Sequence, residues 1–267
     1  MGGEHTPGNG AAGRSRGGRP RPGEECDSGL SAARRPRGAA IAPDASAPQP
    51  APPGGQPQER RGKPRLRGLS HFLALLALAP AAVWLVWRAR TGPVPVGASV
   101  YAASVVLVFA TSSLYHCLHW EQPARGLLGR LDHAAIFLLI AGSFTPFGLR
   151  IGGLLGVASL AGLWLGALVG IALVLRPQGV GKQTRAAIYV GLGWAMVPLA
   201  PALLALVGCR GVGLLVAGGL FYTAGAVIYA LRRPDPFPRT FGFHEIFHLL
   251  VIAAAACHFV AVAGVAV

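Results

Sequence analysis

The stretch Gly153-Leu-Leu-Gly-Val-Ala-Ser-Leu-Ala-Gly-Leu-Trp-Leu-Gly-Ala-Leu-Val-Gly-Ile-Ala-Leu-Val-Leu175 carries no charge at any position. It is as long as the ~20 apolar residues a helix needs to cross hydrocarbon. Six further runs of the same kind lie at about 69–87, 96–115, 131–149, 186–207, 211–231 and 244–266. A soluble helical bundle would need a polar face on each segment, and these have almost none. The sequence therefore predicts an all-α polytopic membrane protein, a bundle of seven transmembrane helices.

The breaks between the runs hold charge or turn residues, such as Arg88 to Pro95, Glu121 to Arg130 and Arg176 to Arg185. Two breaks are very short, Arg150 to Gly153 and Gly208 to Gly211, and predict tight hairpins. Pro80, Pro146, Pro198 and Pro201 fall inside spans, where neighbouring helices resatisfy the backbone.

The chain has 267 residues, 52% hydrophobic and 13% charged, and the charged share is about half the usual one. Residues 1–68 hold half of all Lys and Arg and six of the ten Asp and Glu. Residues 1–65, rich in Gly, Pro, Arg, Ala and Ser, cannot bury enough surface to offset chain entropy and are expected to be a disordered cytoplasmic tail. Residues 66–267 form the membrane domain. The tail has no apolar run before position 69 and does not read as a secretory signal. Arg60, Arg61, Lys63, Arg65 and Arg67 directly precede the first span. They read as a topology determinant able to touch anionic lipid, so the net charge of +14 needs no nucleic-acid partner. With the amino terminus inside, inner loops hold eight Lys and Arg (Arg125 to Arg239) and outer loops four (Arg88, Arg90, Arg150, Arg210). The positive-inside rule gives N-in and C-out. Cys26, Cys117, Cys209 and Cys257 form no Cys-x-x-Cys pair and indicate neither a disulfide framework nor a thiolate metal site.

Topology brings scattered polar residues to one depth. The second span runs inward and ends at His116, the third starts inside at Asp132, and the seventh starts inside at His244 with His248 one turn deeper. All four fall in the inner third of the membrane. His244 and His248, at i and i+4, share a helix face about 6 Å apart and can grip one metal ion. His116 would add a third imidazole and leave a fourth position open to water, the catalytic pattern of Zn²⁺. Asp132 could hold that water or orient a ligand histidine. Ser112, one turn before His116, could bond the water or a substrate carbonyl. Each piece has a plainer reading. A helical His-x-x-x-His pair often arises by chance, an Asp at a helix start is usually an N-cap, and Ser112 and Ser113 can merely back-bond to carbonyls. Convergence favours the metal site, because ionisable residues at membrane depth are costly.

Other residues read as structural. His119 and His133 flank the site and are expected at the interface. His258 lies about 15 Å deeper than His248 and is expected to pack or hydrogen-bond in the bundle. Glu245 is expected to face the inner interface. Gly142-Ser143-Phe144-Thr145-Pro146 predicts a kink whose Ser and Thr cover freed carbonyls.

Ser112-x-x-x-His116, Asp132 leading into Ala141-Gly-Ser-Phe-Thr-Pro146, and His244-Glu-Ile-Phe-His248 with Cys257-His258-Phe259 resemble the hemolysin III family. That is the bacterial branch of the progestin and adipoQ receptor (PAQR) family, in a wider group that includes alkaline ceramidases. The resemblance covers about residues 66–267 and implies a place in a bacterial plasma (inner) membrane. It implies one zinc near the inner face, with His116, His244 and His248 matching the ligands, Asp132 the aspartate that holds water, and Ser112 the serine one turn before the first histidine. The first functional expectation is a zinc-dependent hydrolase of a lipid amide, drawn from membrane lipids. Asp132 would be its general base and Ser112 its oxyanion helper. The alternatives are a membrane-homeostasis sensor or receptor with structural zinc, and a pore-forming cytolysin. The last would need polar residues through the whole bilayer, and the outer two-thirds of the spans show almost none.

Overall fold

The computed structural model describes residue 66 and residues 68–267 apart from 93 and 238. The expected disordered tail, and every basic residue of the 60–67 stretch, lie outside the described residues. The regular elements among the described residues are helices: α1 (Leu69–Ala89), α2 (Pro95–Cys117), α3 (Ala124–Ile151), α4 (Gly153–Leu175), α5 (Lys182–Trp194), α6 (Ala200–Leu231) and α7 (Phe243–Ala266). An isolated bridge joins Phe237 to Phe241 in the loop before α7. The protein is an all-helical, polytopic membrane bundle.

Among the described residues six stretches are long and apolar enough to cross a membrane, and the fifth is the run Lys182–Leu231. A straight helix of 50 residues would reach about 75 Å, more than twice the ~30 Å hydrocarbon core. The run is folded back instead. Arg185 Nη2 donates to Tyr229 Oη at 2.9 Å and Trp194 Nε1 to Thr223 Oγ1 at 2.9 Å, so α5 lies antiparallel to the second half of α6. The expected break at 208–211 is a single residue, Gly208, at φ 65° and ψ −179°. That region is essentially open to glycine alone, because a Cβ clashes with the local backbone there.

The α3–α4 hairpin is as tight as its short break predicts, with Gly152 and Gly153 at positive φ between the two helices. The third helix starts earlier than the expected 131: after α2 ends at the extended Leu118, α3 already begins at Ala124. Asp132 therefore sits two turns inside α3, which overturns its N-cap reading.

Large apolar side chains such as Trp84, Trp87, Leu154 and Leu165 point outward, as lipid-facing residues do. The interior mixes a few large rings (Tyr101, Phe109, Phe137, Phe147) with small residues that let helix backbones approach. A Cβ on Gly97 would lie 2.8 Å from Pro146 Cα, so glycine there seats α2 directly on α3. In the same segment Ser143 Oγ donates to Leu139 O at 2.6 Å and Thr145 Oγ1 to Ala141 O at 2.8 Å, the back-bonding expected around Pro146. Helix α7 packs on α6 and also touches α1, α2 and α3, which carries its first turns to the end of α2.

Candidate metal centre

Each histidine is placed by a helix end. Helix α2 stops at Cys117 as Leu118 turns extended, leaving His116 in its last turn. Helix α7 is fixed at its start by two carboxylates. Glu245 Oε2 accepts from Gly242 N at 2.8 Å, and Asp235 Oδ1 from Phe243 N at 3.2 Å. These satisfy N–H groups that a helix start leaves open. Glu245 is thus buried in a cap, not set at the interface as expected.

The ligand nitrogens of His116, His244 and His248 all lie within 4.8 Å of one another. His244 Nε2 and His116 Nε2 are 3.3 Å apart. Two nitrogens bound to zinc at 2.0–2.1 Å with a tetrahedral angle would be roughly 3.3 Å apart, so this pair fits the ion. His116 and His248 are buried and His244 is half-buried. Asp132 Oδ2 is 3.6 Å from His116 Nε2, beside the trio but outside direct hydrogen-bond range. The structure therefore joins the three sequence-predicted ligands in a group able to hold a metal, with Asp132 next to it.

The sequence profile described as "Haemolysin-III related" matches residues 60–259. The chain belongs to this family. It is 32% identical over 195 residues to Hemolysin-3 of Bacillus cereus, covering 72% of this chain and 86% of that protein. It is 30% identical over 195 residues to the Hemolysin-3 homolog of Bacillus subtilis (strain 168), covering 72% and 88% respectively. The adiponectin receptor protein of Drosophila melanogaster is 30% identical over 218 residues, covering 71% of this chain and 48% of that protein. The resemblance to hemolysin III and PAQR proteins therefore holds, and the chain is a multi-pass integral membrane protein, consistent with a plasma-membrane location.

In this haemolysin-III-related protein the site is larger than its sequence motifs suggest. His71, in the first turn of α1, is buried and stacks on His248 with ring centroids 3.7 Å apart and planes 11° from parallel. Its Nδ1 lies 2.7 Å from Ser112 Oγ. Ser112 thus faces the site as expected but is partnered by a histidine the sequence reading missed. The signal was present: His71 is an ionisable residue at the edge of an apolar span.

His133 belongs to the site and not to the interface. Its Nδ1 is 3.6 Å from Asp132 Oδ2, its Nε2 is 3.4 Å from Tyr229 Oη, and Tyr189 Oη donates to its carbonyl at 2.8 Å. Through Tyr229 this group connects to Arg185. His119 is exposed.

A cavity of about 370 Å³ runs from this cluster into the bundle. His71, Ser112, Asp132, His133, His244 and His248 line its polar end. Its walls are mainly apolar side chains of α3, α5, α6 and α7, among them Phe144, Leu203 and Val212, with Met196 from the connection between α5 and α6.

Proposed function

We propose that this protein is a zinc-dependent hydrolase of a lipid amide, with seven membrane passes, N-in and C-out, and its site near the cytoplasmic face. The observation that carries the reading is the convergence of three imidazoles at the polar end of an otherwise apolar cavity. In the orientation given by the positive-inside rule that end lies level with the inner headgroups, where a lipid presents its amide.

His116, His244 and His248 would hold the ion, and three imidazoles favour zinc. Once bound, zinc would supply Lewis acidity toward a carbonyl and bring water to a nucleophilic state near neutral pH. Asp132 takes the proton of the attacking water and returns it to the departing amine, so C–O forms as C–N breaks and acid and amine are released. His133, held by Tyr229 and Tyr189, keeps the Asp132 carboxylate turned toward His116. Ser112, anchored by His71, offers its hydroxyl to the carbonyl oxygen. The apolar walls receive the acyl chain and exclude water from the polar end.

The test is metal content of the purified full chain in detergent, for wild type and His248→Ala, followed by incubation with a panel of ceramides and other lipid amides. The reading expects zinc near one equivalent in wild type, its loss in the variant, and amide cleavage that Asp132→Ala removes. Zinc without turnover on any amide would leave a structural metal and sink the hydrolase.

A further inference from the structure

Far from the histidine trio the same cavity has a second polar place. Tyr222 and His258 both line it, and their rings meet edge to face at 5.5 Å. His258 lies ten residues after His248 on α7, about 15 Å further along the helix. Tyr222 precedes Tyr229 by seven residues, so it shares a face of α6 with the tyrosine at the metal end, about 10 Å away.

The polar groups in this part of the wall differ in what they have left to offer. Trp194 Nε1 donates to Thr223 Oγ1, which in turn donates to Gly219 O, so those two are satisfied. Tyr222 Oη and His258 Nδ1 are buried atoms with no hydrogen-bond partner among the described residues. His258 Nε2 lies 3.3 Å from the carbonyl oxygen of Leu215. A carbonyl only accepts, so Nε2 carries the proton and Nδ1 of the neutral ring is left as an acceptor. The ring is held there by packing, because a Cβ on Gly218 would collide with its Cδ2. The two side chains thus meet in one region of an apolar wall, each with one unsatisfied polar atom. Leaving both unsatisfied is costly, and buried polar groups in folded proteins are normally paired.

We propose that Tyr222 and His258 form a subsite for a mid-chain hydroxyl on the acyl chain, making the protein selective for hydroxylated lipids. A hydroxyl complements both groups at once. It donates to His258 Nδ1 and accepts from Tyr222 Oη. A ketone matches Tyr222 alone, and a methylene matches neither. An extended chain advances about 1.2 Å per bond. With the carbonyl at the histidines, a span of about 15 Å sets the hydroxyl at about the twelfth to fourteenth carbon. The inference rests on the reading that the cavity takes an acyl chain.

The experiment measures binding of octadecanoic, 12-hydroxyoctadecanoic, 2-hydroxyoctadecanoic and 12-oxooctadecanoic acids to the full chain in lipid nanodiscs, by displacement of radiolabelled octadecanoate. The 12-hydroxy acid is expected to bind about three- to tenfold more tightly than octadecanoate, with the 12-oxo acid between them. The 2-hydroxy acid is expected to gain nothing. Tyr222→Phe should remove the gain of the 12-oxo acid, lower that of the 12-hydroxy acid, and leave octadecanoate affinity unchanged, which also shows that the variant is folded. Equal affinity for octadecanoate and its 12-hydroxy derivative in wild type overturns the subsite while the acyl-chain reading stands. So does a preference that is undiminished in Tyr222→Phe. If no fatty acid binds, the acyl-chain reading fails and the subsite goes with it.

Discussion

Removing the His71 ring should loosen the metal site without touching a ligand. His71 stacks on His248 at 3.7 Å and is held from behind by Ser112 at 2.7 Å. A well-placed ring pair contributes about 0.5–1.5 kcal/mol beyond its buried area, and a neutral hydrogen bond about as much. Both interactions fix the plane of His248, so their loss falls largely on the bound geometry. Groups that orient a ligand histidine typically govern metal affinity by about 10- to 100-fold. That range equals about 1.4–2.8 kcal/mol, comparable to the two interactions together. His71→Ala should therefore weaken metal binding within that range. His71→Phe keeps the stack and loses only the hydrogen bond. Ser112 can then turn to a carbonyl one turn back, as Ser113 already does to Phe109 O at 2.6 Å. The phenylalanine variant should accordingly stay within about tenfold of wild type. Both variants would be equilibrated in detergent across chelator-buffered zinc concentrations and bound metal counted by mass spectrometry, with thermal unfolding of the metal-free forms in parallel. If His71→Ala binds zinc as wild type does, the stack has no orienting role. If the phenylalanine variant loses as much affinity as the alanine one, the hydrogen bond and not the stack is what matters.

Asp132→Asn should abolish amide hydrolysis while zinc content stays near that of wild type, because the carboxylate lies 3.6 Å from His116 and outside the imidazole trio. Loss of the metal along with activity would make Asp132 a ligand instead. A Cβ on Gly170 would run into the fully buried Phe137 ring, which packs on Tyr189 at 4.6 Å. Gly170→Ala should destabilise the bundle by about 1–3 kcal/mol, and Phe137→Leu should restore part of that in a thermal-shift assay. Gly208→Ala meets open space around its Cβ but inherits φ 65° and ψ −179°. Its cost, about 1–3 kcal/mol, is backbone strain alone, and an unchanged melting temperature would contradict the turn geometry.

The trio was legible in the sequence because two of its members share a helix face by spacing alone. The third sits at a span end that charge and length locate. Asp132 was legible as a neighbour but not in its depth. The turns from Ala124 to Arg130 carry two arginines and read as loop, yet they are helical. His71 escaped because it stands alone, without an i+4 partner, next to a basic stretch that accounts for polarity there. Arg185, Tyr189 and Tyr229 escaped for a different reason. Their link to His133 depends on α5 folding back along α6, and side-chain pairing across that fold leaves no periodic trace. The fifth and sixth spans were legible as apolar runs, while the single-residue character of the turn between them depends on the φ of Gly208.

The cavity itself bears on whether the metal serves chemistry or only ties helices together. A clamp needs three imidazoles in a close-packed surround, since voids weaken a core by about 24 cal/mol per Å³. A space of about 370 Å³ beside the ligands is the opposite of such a surround. A structural role gives no reason to keep such a space, nor to run it from the ligands past Ser112 and Asp132 toward Tyr222 and His258. On the proposed reading a chain-shaped ligand whose polar end reaches the histidines would supply one, because its methylenes would replace the missing packing and its carbonyl would meet the groups proposed to cleave it.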